Sequence, residues 1–401
     1  MKWNNKYNYP KSIKSLSSGT SLWLEEGGKR NYRTFFDVRT YLASKDPHPD
    51  SRDSSSQLRA ALISSVRDHF VSDVPVGIFL SAGLDSATLV GLASETISNT
   101  LNSMTLQFKE LSGSSMDEAP LAAEVASIYG ARHTTKTVKG AEFRNEIDLL
   151  FSSMDQPSID GANTYFVAKE AASMGLKVAI SGLGGDELFG GYPSFRQIPK
   201  LVNSLSWFPG LHGMGKLFRV LSAPVLKHLT SPKYAGLFEY GGSFSGAYFL
   251  RRGLYMPWEL PEVLDPDFAA EGWNKLELMM HLNESINGIS NDAAKVSALE
   301  LLWYMRNQLL RDSDWAGMAH SLEIRTPLVD AKLFQEIAGI SASKKDMAGT
   351  LSKRLPDKVL NRPKTGFYLP VREWLSGENY EGSGSYGYKG WARMVYNRVA
   401  N

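Results

Sequence analysis

A chain of 401 residues with 43% hydrophobic and 21% charged side chains is long enough for two or three cores and lies far from the low-hydrophobicity regime of disordered chains. Its 44 basic and 42 acidic side chains leave a formal charge of +2, which removes any whole-chain attraction to nucleic acid or an acidic membrane, and its lack of cysteine excludes disulfides, thiolate metal sites and thiol nucleophiles. The start MKWNNKYNYP contains no apolar leader core, and the run from Val74 to Leu80 is far short of the ~18 to 20 residues that span a bilayer, so a cytoplasmic, soluble protein without nucleic-acid or membrane partners is expected.

Residues 1–45 mix Ser, Gly, Lys and aromatics, with a strand-like Ser21-Leu22-Trp23-Leu24 ahead of the turn Gly27-Gly28. Consecutive X-Pro units in Asp46-Pro47-His48-Pro49-Asp50 disfavour helix and mark a linker. Leu58, Ala61, Leu62, Val66 and Phe70 then share a helical face, and 76–80 is a short, nearly all-apolar run of the kind that a parallel strand buried on both faces needs. Helix over 87–98, strand over 104–108, helix over 117–129, strand over 133–138, helix over 165–174 and strand over 178–181 follow. This alternation predicts an α/β fold with a doubly wound, mostly parallel sheet and right-handed crossovers. Beyond about residue 195 the strand signal fades and helical periodicity returns over 216–229 and 293–310, so the C-terminal half is expected to be largely helical. The Gly, Ser and Tyr-rich stretch 376–390 reads as a loop and 391–399 as a terminal docking helix.

Two turns carry chemistry. In the first, the strand 76–80 feeds Ser81-Ala82-Gly83-Leu84-Asp85-Ser86, a small-residue turn that opens a helix. Backbone N–H groups there and the positive end of the helix dipole suit phosphate oxygens, and Ser81 and Ser86 add hydroxyls. Asp85 would repel phosphate unless a cation intervened, so an acid in this position implies Mg²⁺. The spacing is neither G-x-x-x-x-G-K-[ST] nor G-x-G-x-x-G. Taken alone, the segment is also what an ordinary strand-to-helix turn capped by Ser and Asp looks like. In the second, the strand 178–181 leads into Gly182-Leu183-Gly184-Gly185-Asp186-Glu187-Leu188-Phe189-Gly190-Gly191-Tyr192, whose glycines allow close approach to a ligand. Asp186 falls just past the C-terminal edge of its strand, where open parallel sheets bind ligands. If the two strands are neighbours, Asp85 and Asp186 share one metal; the alternative is an acidic first helical turn that suits the dipole.

The first turn resembles the S-G-G-x-D-S signature of the N-type ATP pyrophosphatases, with Ala82 in the second position. The second turn resembles the S-G-x-G-x-D-E-x-F-G-G-Y block of the synthetase domain of the asparagine synthetase family. Further matching blocks are Asp155-Gln-Pro-Ser-Ile-Asp160-Gly161, the segment from Leu310 to Asp330 with its Glu323-x-Arg325-x-Pro327, and Leu355-Pro356 followed by Arg362-Pro363-Lys364-Thr365-Gly366-Phe367. The resemblance implies an adenine nucleotide alpha hydrolase-like fold, ATP and Mg²⁺ as cofactors, and three segments. These are a remnant of a glutaminase-domain end plus linker over 1–50, the ATP pyrophosphatase domain over 51–375, and a loop with a terminal helix over 376–401.

The resemblance further implies an AMP- and pyrophosphate-forming amide ligase that adenylates a carboxylate, the aspartate side chain, and transfers ammonia to it to give asparagine. On this reading Leu80, Ser81, Ala82, Gly83, Leu84, Asp85, Ser86 and Gly182 bind nucleotide, Asp85 and Asp186 hold the metal, and Lys364 stabilises charge at the α-phosphate. Glu323 and Arg325 are expected to form a structural ion pair, and His320 to be a packing residue. Two departures from the family stand out. The family's glutaminase uses an N-terminal cysteine, and this chain has none, so nitrogen comes from ammonia, from a separate glutaminase subunit, or from another amine. Leu183 stands where asparagine synthetases place a glutamate and β-lactam synthetases a tyrosine. Asp312 or Asp314 is then a stand-in acid, unless neutral ammonia needs no base or the amination step differs. The rival readings are a β-lactam synthetase-like or peptide-cyclising ligase on another carboxylate, and a non-catalytic partner of a glutaminase.

Overall fold

The computed structural model describes residues 15–44, 51–206, 215–222, 232–363, 370, 374 and 387–400. The chain divides into two compact units, one formed by 1–46 with 192–307 and the other by 47–191 with 308–401.

The first unit begins with an antiparallel hairpin of β1 (Thr20–Leu24) and β2 (Arg30–Thr34), in register from Thr20 opposite Thr34 to Leu24 opposite Arg30. Gly27 and Gly28, both at positive φ, make the turn that the sequence announced. The rest is helical. The helices Ser194–Ser206, Phe244–Arg252 and Asp292–Leu299 bury Ile198, Val202, Phe249, Leu250, Val296 and Leu299 in one apolar cluster. The helix expected over 216–229 is present at 215–222, and the remainder of that range lies outside the described residues. The helical face expected over 293–310 also forms, but Glu300–Leu310 is π-helical. Buried in this unit is a charged knot: Arg252 pairs with Glu300 at 2.8 Å, Ser194 Oγ donates to Glu300 at 2.6 Å, and the guanidinium lies over the rings of Tyr192 and Tyr304 at 4.4 and 3.8 Å. Burial by itself would lower the Arg252 pKa, but the Glu300 charge and the tyrosines outweigh it and the net shift is upward.

The second unit is the predicted α/β layer. Five parallel strands run in the order β5-β4-β3-β6-β7: β3 (Val76–Phe79), β4 (Asn102–Phe108), β5 (Arg132–Val138), β6 (Val178–Ile180) and β7 (Glu323–Arg325). β3 and β6 were legible as short apolar runs and β4 and β5 as strands alternating with helices; β7 was not legible. Successive strand residues point to opposite faces, so Ile78 and Ile180 enter one core with Leu62, Leu89 and Val125, while Phe79 and Ala179 meet the other with Phe143, Phe166 and Trp315. Trp374 lies edge-on to Phe108 at 5.5 Å and tilted on Phe143 at 4.8 Å. The terminal helix Tyr388–Ala400 docks here as expected, its Trp391 stacked on Phe151 at 5.5 Å. From β3 the chain winds outward through β4 to β5, then returns to place β6 on the other side of β3. That reversal opens a crevice at the C-terminal ends of β3 and β6, the usual ligand position in such sheets.

Candidate active site

Both motif turns leave the sheet at this reversal. β3 and β6 pair with Val76 opposite Val178, Gly77 opposite Ala179 and Ile78 opposite Ile180, so the condition placed on the two turns is met and their acids emerge side by side. Leu80 is buried and held by its N–H to the Met104 carbonyl at 2.8 Å, which anchors the first turn to β4. Ser81 and Ser86 bridge the turn, their hydroxyls 2.9 Å apart, and Gly83 N–H donates to Ser81 Oγ at 3.1 Å. Ala82 is fully buried and is not among the residues at positive φ, which is why the second position of the signature accepts a Cβ here. Leu84 begins the helix Leu84–Thr96, putting Asp85 in its first turn.

The second turn presses against the first. A Cβ on Gly182 would lie 3.0 Å from Ser86 N and 3.1 Å from Asp85 Cβ, and one on Gly185 would overlap the Asp85 carboxylate. Gly184 has φ +98°, and a Cβ there would sit 2.5 Å from Val329 and 2.9 Å from the Leu328 carbonyl, so only glycine fits. The short helix Gly185–Leu188 then carries Asp186.

Between the two acids lies a residue that the sequence reading missed. Lys344 Nζ is 2.5 Å from Asp85 Oδ2 and 2.5 Å from Asp186 Oδ1, and all three side chains are largely buried. Burial would lower the lysine pKa, but the two carboxylates overcome it and the net shift is upward, so the ammonium form is held. One signal was available. Ser343 and Asp346 form a capping box that starts the helix Lys344–Gly349, putting Lys344 in a first turn where a cation opposes the helix dipole and needs another partner.

Two carboxylate oxygens that already converge on one cation are a fitting donor pair for Mg²⁺, which takes few protein carboxylates and completes its shell with phosphate and water. Among the described residues there is no cluster of three acidic or histidine side chains that would make a protein-only cage.

Lys364 lies outside the described residues. Glu323 and Arg325 do form an ion pair, at 2.8 Å, and Arg325 also donates to the carbonyls of His69 and Val71 at 2.9 and 2.7 Å. His320 packs edge-on against Tyr165 at 4.4 Å between ring centres. Of the two acids offered as stand-ins at Leu183, Asp314 is exposed, whereas Asp312 is 3% exposed and accepts from Gln308 Nε2 at 3.2 Å and Trp315 Nε1 at 3.0 Å. Burial pushes the Asp312 carboxyl up to about 6, opposed by those hydrogen bonds.

Asparagine synthetase [glutamine-hydrolyzing] 1 of Bacillus subtilis is 29% identical over 392 residues, covering 92% of this chain and 57% of its own. Asparagine synthetase [glutamine-hydrolyzing] 3 of the same organism is 24% identical over 396 residues, covering 91% and 57%. Asparagine synthetase B [glutamine-hydrolyzing] of Escherichia coli is 29% identical over 203 residues, covering 47% and 35%. The chain thus spans little more than half the length of the two Bacillus relatives, and the match covers about a third of the Escherichia coli one. The sequence model of asparagine synthase matches residues 57–382, a stretch that contains both acidic turns and the lysine between them, and the chain belongs to the asparagine synthase family.

Proposed function

We propose that the chain carries an ATP-dependent amide ligase that adenylates a carboxylate, releases pyrophosphate, and passes ammonia to the acyl-adenylate to give an amide and AMP. The carboxylate is the aspartate side chain and the product asparagine. The observation that carries this reading is the convergence of Asp85 and Asp186, from adjacent parallel strands, on the single cation of Lys344. Adenylation moves negative charge onto the departing pyrophosphate, and a fixed, buried positive centre stabilises such charge far better than water does. Asp85 and Asp186 would hold Mg²⁺, which when bound neutralises that charge. The N–H groups of 81–86 and the Ser81 and Ser86 hydroxyls orient phosphate oxygens, the glycines at 182, 184 and 185 let the nucleotide approach the backbone, and Lys344 adds positive charge beside both acids. Lys364, by its place in the Arg362-Pro363-Lys364-Thr365-Gly366-Phe367 block, is assigned the charge that develops at the α-phosphate and the tetrahedral intermediate. Asp312, whose pKa of about 6 suits proton transfer near neutrality, is the acid offered for the role that Leu183 cannot fill.

Nitrogen enters as ammonia, since these 401 residues contain no cysteine for glutamine hydrolysis; a separate glutaminase subunit or a different amine is the alternative source. The test is release of pyrophosphate and AMP from Mg-ATP with aspartate, with ammonium or with glutamine, followed by the mass of the product. Ammonium-dependent asparagine supports the proposal. Pyrophosphate without asparagine would move the same adenylation chemistry to another carboxylate, and no pyrophosphate with any acid would favour the non-catalytic partner.

A further inference from the structure

Lys344 stands where a metal would. Its Nζ lies 2.5 Å from Asp85 Oδ2 and 2.5 Å from Asp186 Oδ1. A magnesium ion held by the same two oxygens at ~2.1 Å cannot share that position with an ammonium group. Nor is the lysine a loose surface cation: its side chain is 17% exposed, beside acids at 17% and 16%.

The acids and the lysine are attached to the fold in different ways. Asp85 and Asp186 sit on short side chains in turns that leave adjacent strands, and the glycines of the second turn close on them. A Cβ on Gly185 would overlap the Asp85 carboxylate; one on Gly191 would overlap the Asp186 carboxylate and lie 3.0 Å from Lys344 Nζ. The Gly191 N–H donates to the Asp186 carbonyl at 2.8 Å, which ties that turn across its own end. Lys344 reaches the same point from the first turn of the helix Lys344–Gly349, where its charge opposes the helix dipole, so the carboxylates and not the helix hold the ammonium in place. Its four-carbon stem lets the head swing away without moving the backbone. The acids therefore define a fixed position, and the cation that fills it is movable.

We propose that Lys344 is a positioning residue that keeps Asp85 and Asp186 together and closed to free divalent ions, so that a metal enters only in company with a polyphosphate. Without any cation the two carboxylates would repel each other in a site that water screens poorly. A free divalent ion approaching them is repelled by the ammonium already there. A polyphosphate removes that obstacle, because its oxygens offer the ammonium another anion while the acids take the ion. The inference rests on the metal role given to Asp85 and Asp186 above.

The test is equilibrium dialysis of Mn²⁺ against the full 401-residue chain, with and without the α,β-methylene analogue of ATP, which cannot release pyrophosphate. The parent is expected to retain about one Mn²⁺ with the analogue and none without it. Lys344→Met, which keeps the length of the stem and removes its charge, should retain Mn²⁺ without nucleotide, at least ~10-fold more tightly than the parent. Adding Asp85→Asn to that variant should abolish the retention. If Lys344→Met does not fold, Lys344→Gln reads the same gain. Nucleotide-independent retention by the parent that Asp85→Asn removes, or no gain in a folded Lys344 variant, overturns the proposal and leaves the metal role of the acids standing. No retention by the parent even with the analogue overturns both.

Discussion

Asp85 and Asp186 meet at Lys344 through the pairing of β3 with β6, which neither local sequence contains. Asp85→Ala and Asp186→Ala are each expected to lower ATP-dependent pyrophosphate release by at least ~10²-fold while the circular dichroism spectrum stays that of the parent. Near-parental rates in either variant would remove the metal role. Lys344→Ala tests the residue that sequence reading passed over and should lose activity on the same scale, whereas a merely structural lysine would change only the unfolding midpoint. Arg252→Ala makes the opposite prediction: it strands the fully buried Glu300 carboxylate and should cost about 3 to 5 kcal/mol in urea unfolding. Asp312 gives a pH signature. Its folded pKa of about 6 lies above the ordinary 3.8, so the native state binds the extra proton between those values, and its contribution to stability declines as pH rises through them. Relative to Asp312→Asn, the parent should therefore lose stability between pH 3.8 and about 6, and parallel pH profiles for the two would refute the raised pKa. The residue types in both motif turns were legible because glycine, serine and aspartate carry their constraints locally; Lys344 was not, because its partners are 259 and 158 positions away in sequence.

The elements followed the same rule. β3 and β6 appeared as short apolar runs because both faces of a central parallel strand are buried, whereas β5, at the sheet edge, is polar and was legible only through the alternation of strands with helices. β7 is only Glu323–Arg325, with charged ends, and becomes a strand because β6 pairs with it, Val178 opposite Glu323. The π-helical segment Glu300–Leu310 contains no glycine or proline, so nothing in its sequence marks the change from α-helical hydrogen bonding. The two turns interlock through missing side chains, which predicts that Gly185→Ala displaces the Asp85 carboxylate. Pyrophosphate release should fall by about tenfold or more with little change in stability, since the colliding group is a side-chain end that can swing aside. Unaltered turnover would mean that the turns have more room than their packing indicates.

For the whole molecule, the amino-acid sequence by itself determined the α/β winding, the two glycine- and aspartate-bearing turns, the helical second half and the absence of cysteine chemistry, because each rests on local periodicity, composition or backbone permissiveness. On the proposed function, turnover with ammonium and none with glutamine alone is the outcome expected from that last property, and glutamine-supported asparagine formation by the isolated chain would contradict it. Only the tertiary structure decided that residues 1–46 belong with 192–307 in one unit, that β6 returns beside β3, and that Lys344 stands between two acids. These are facts of long-range packing, set by which surfaces exclude water together, and no window of sequence contains both partners.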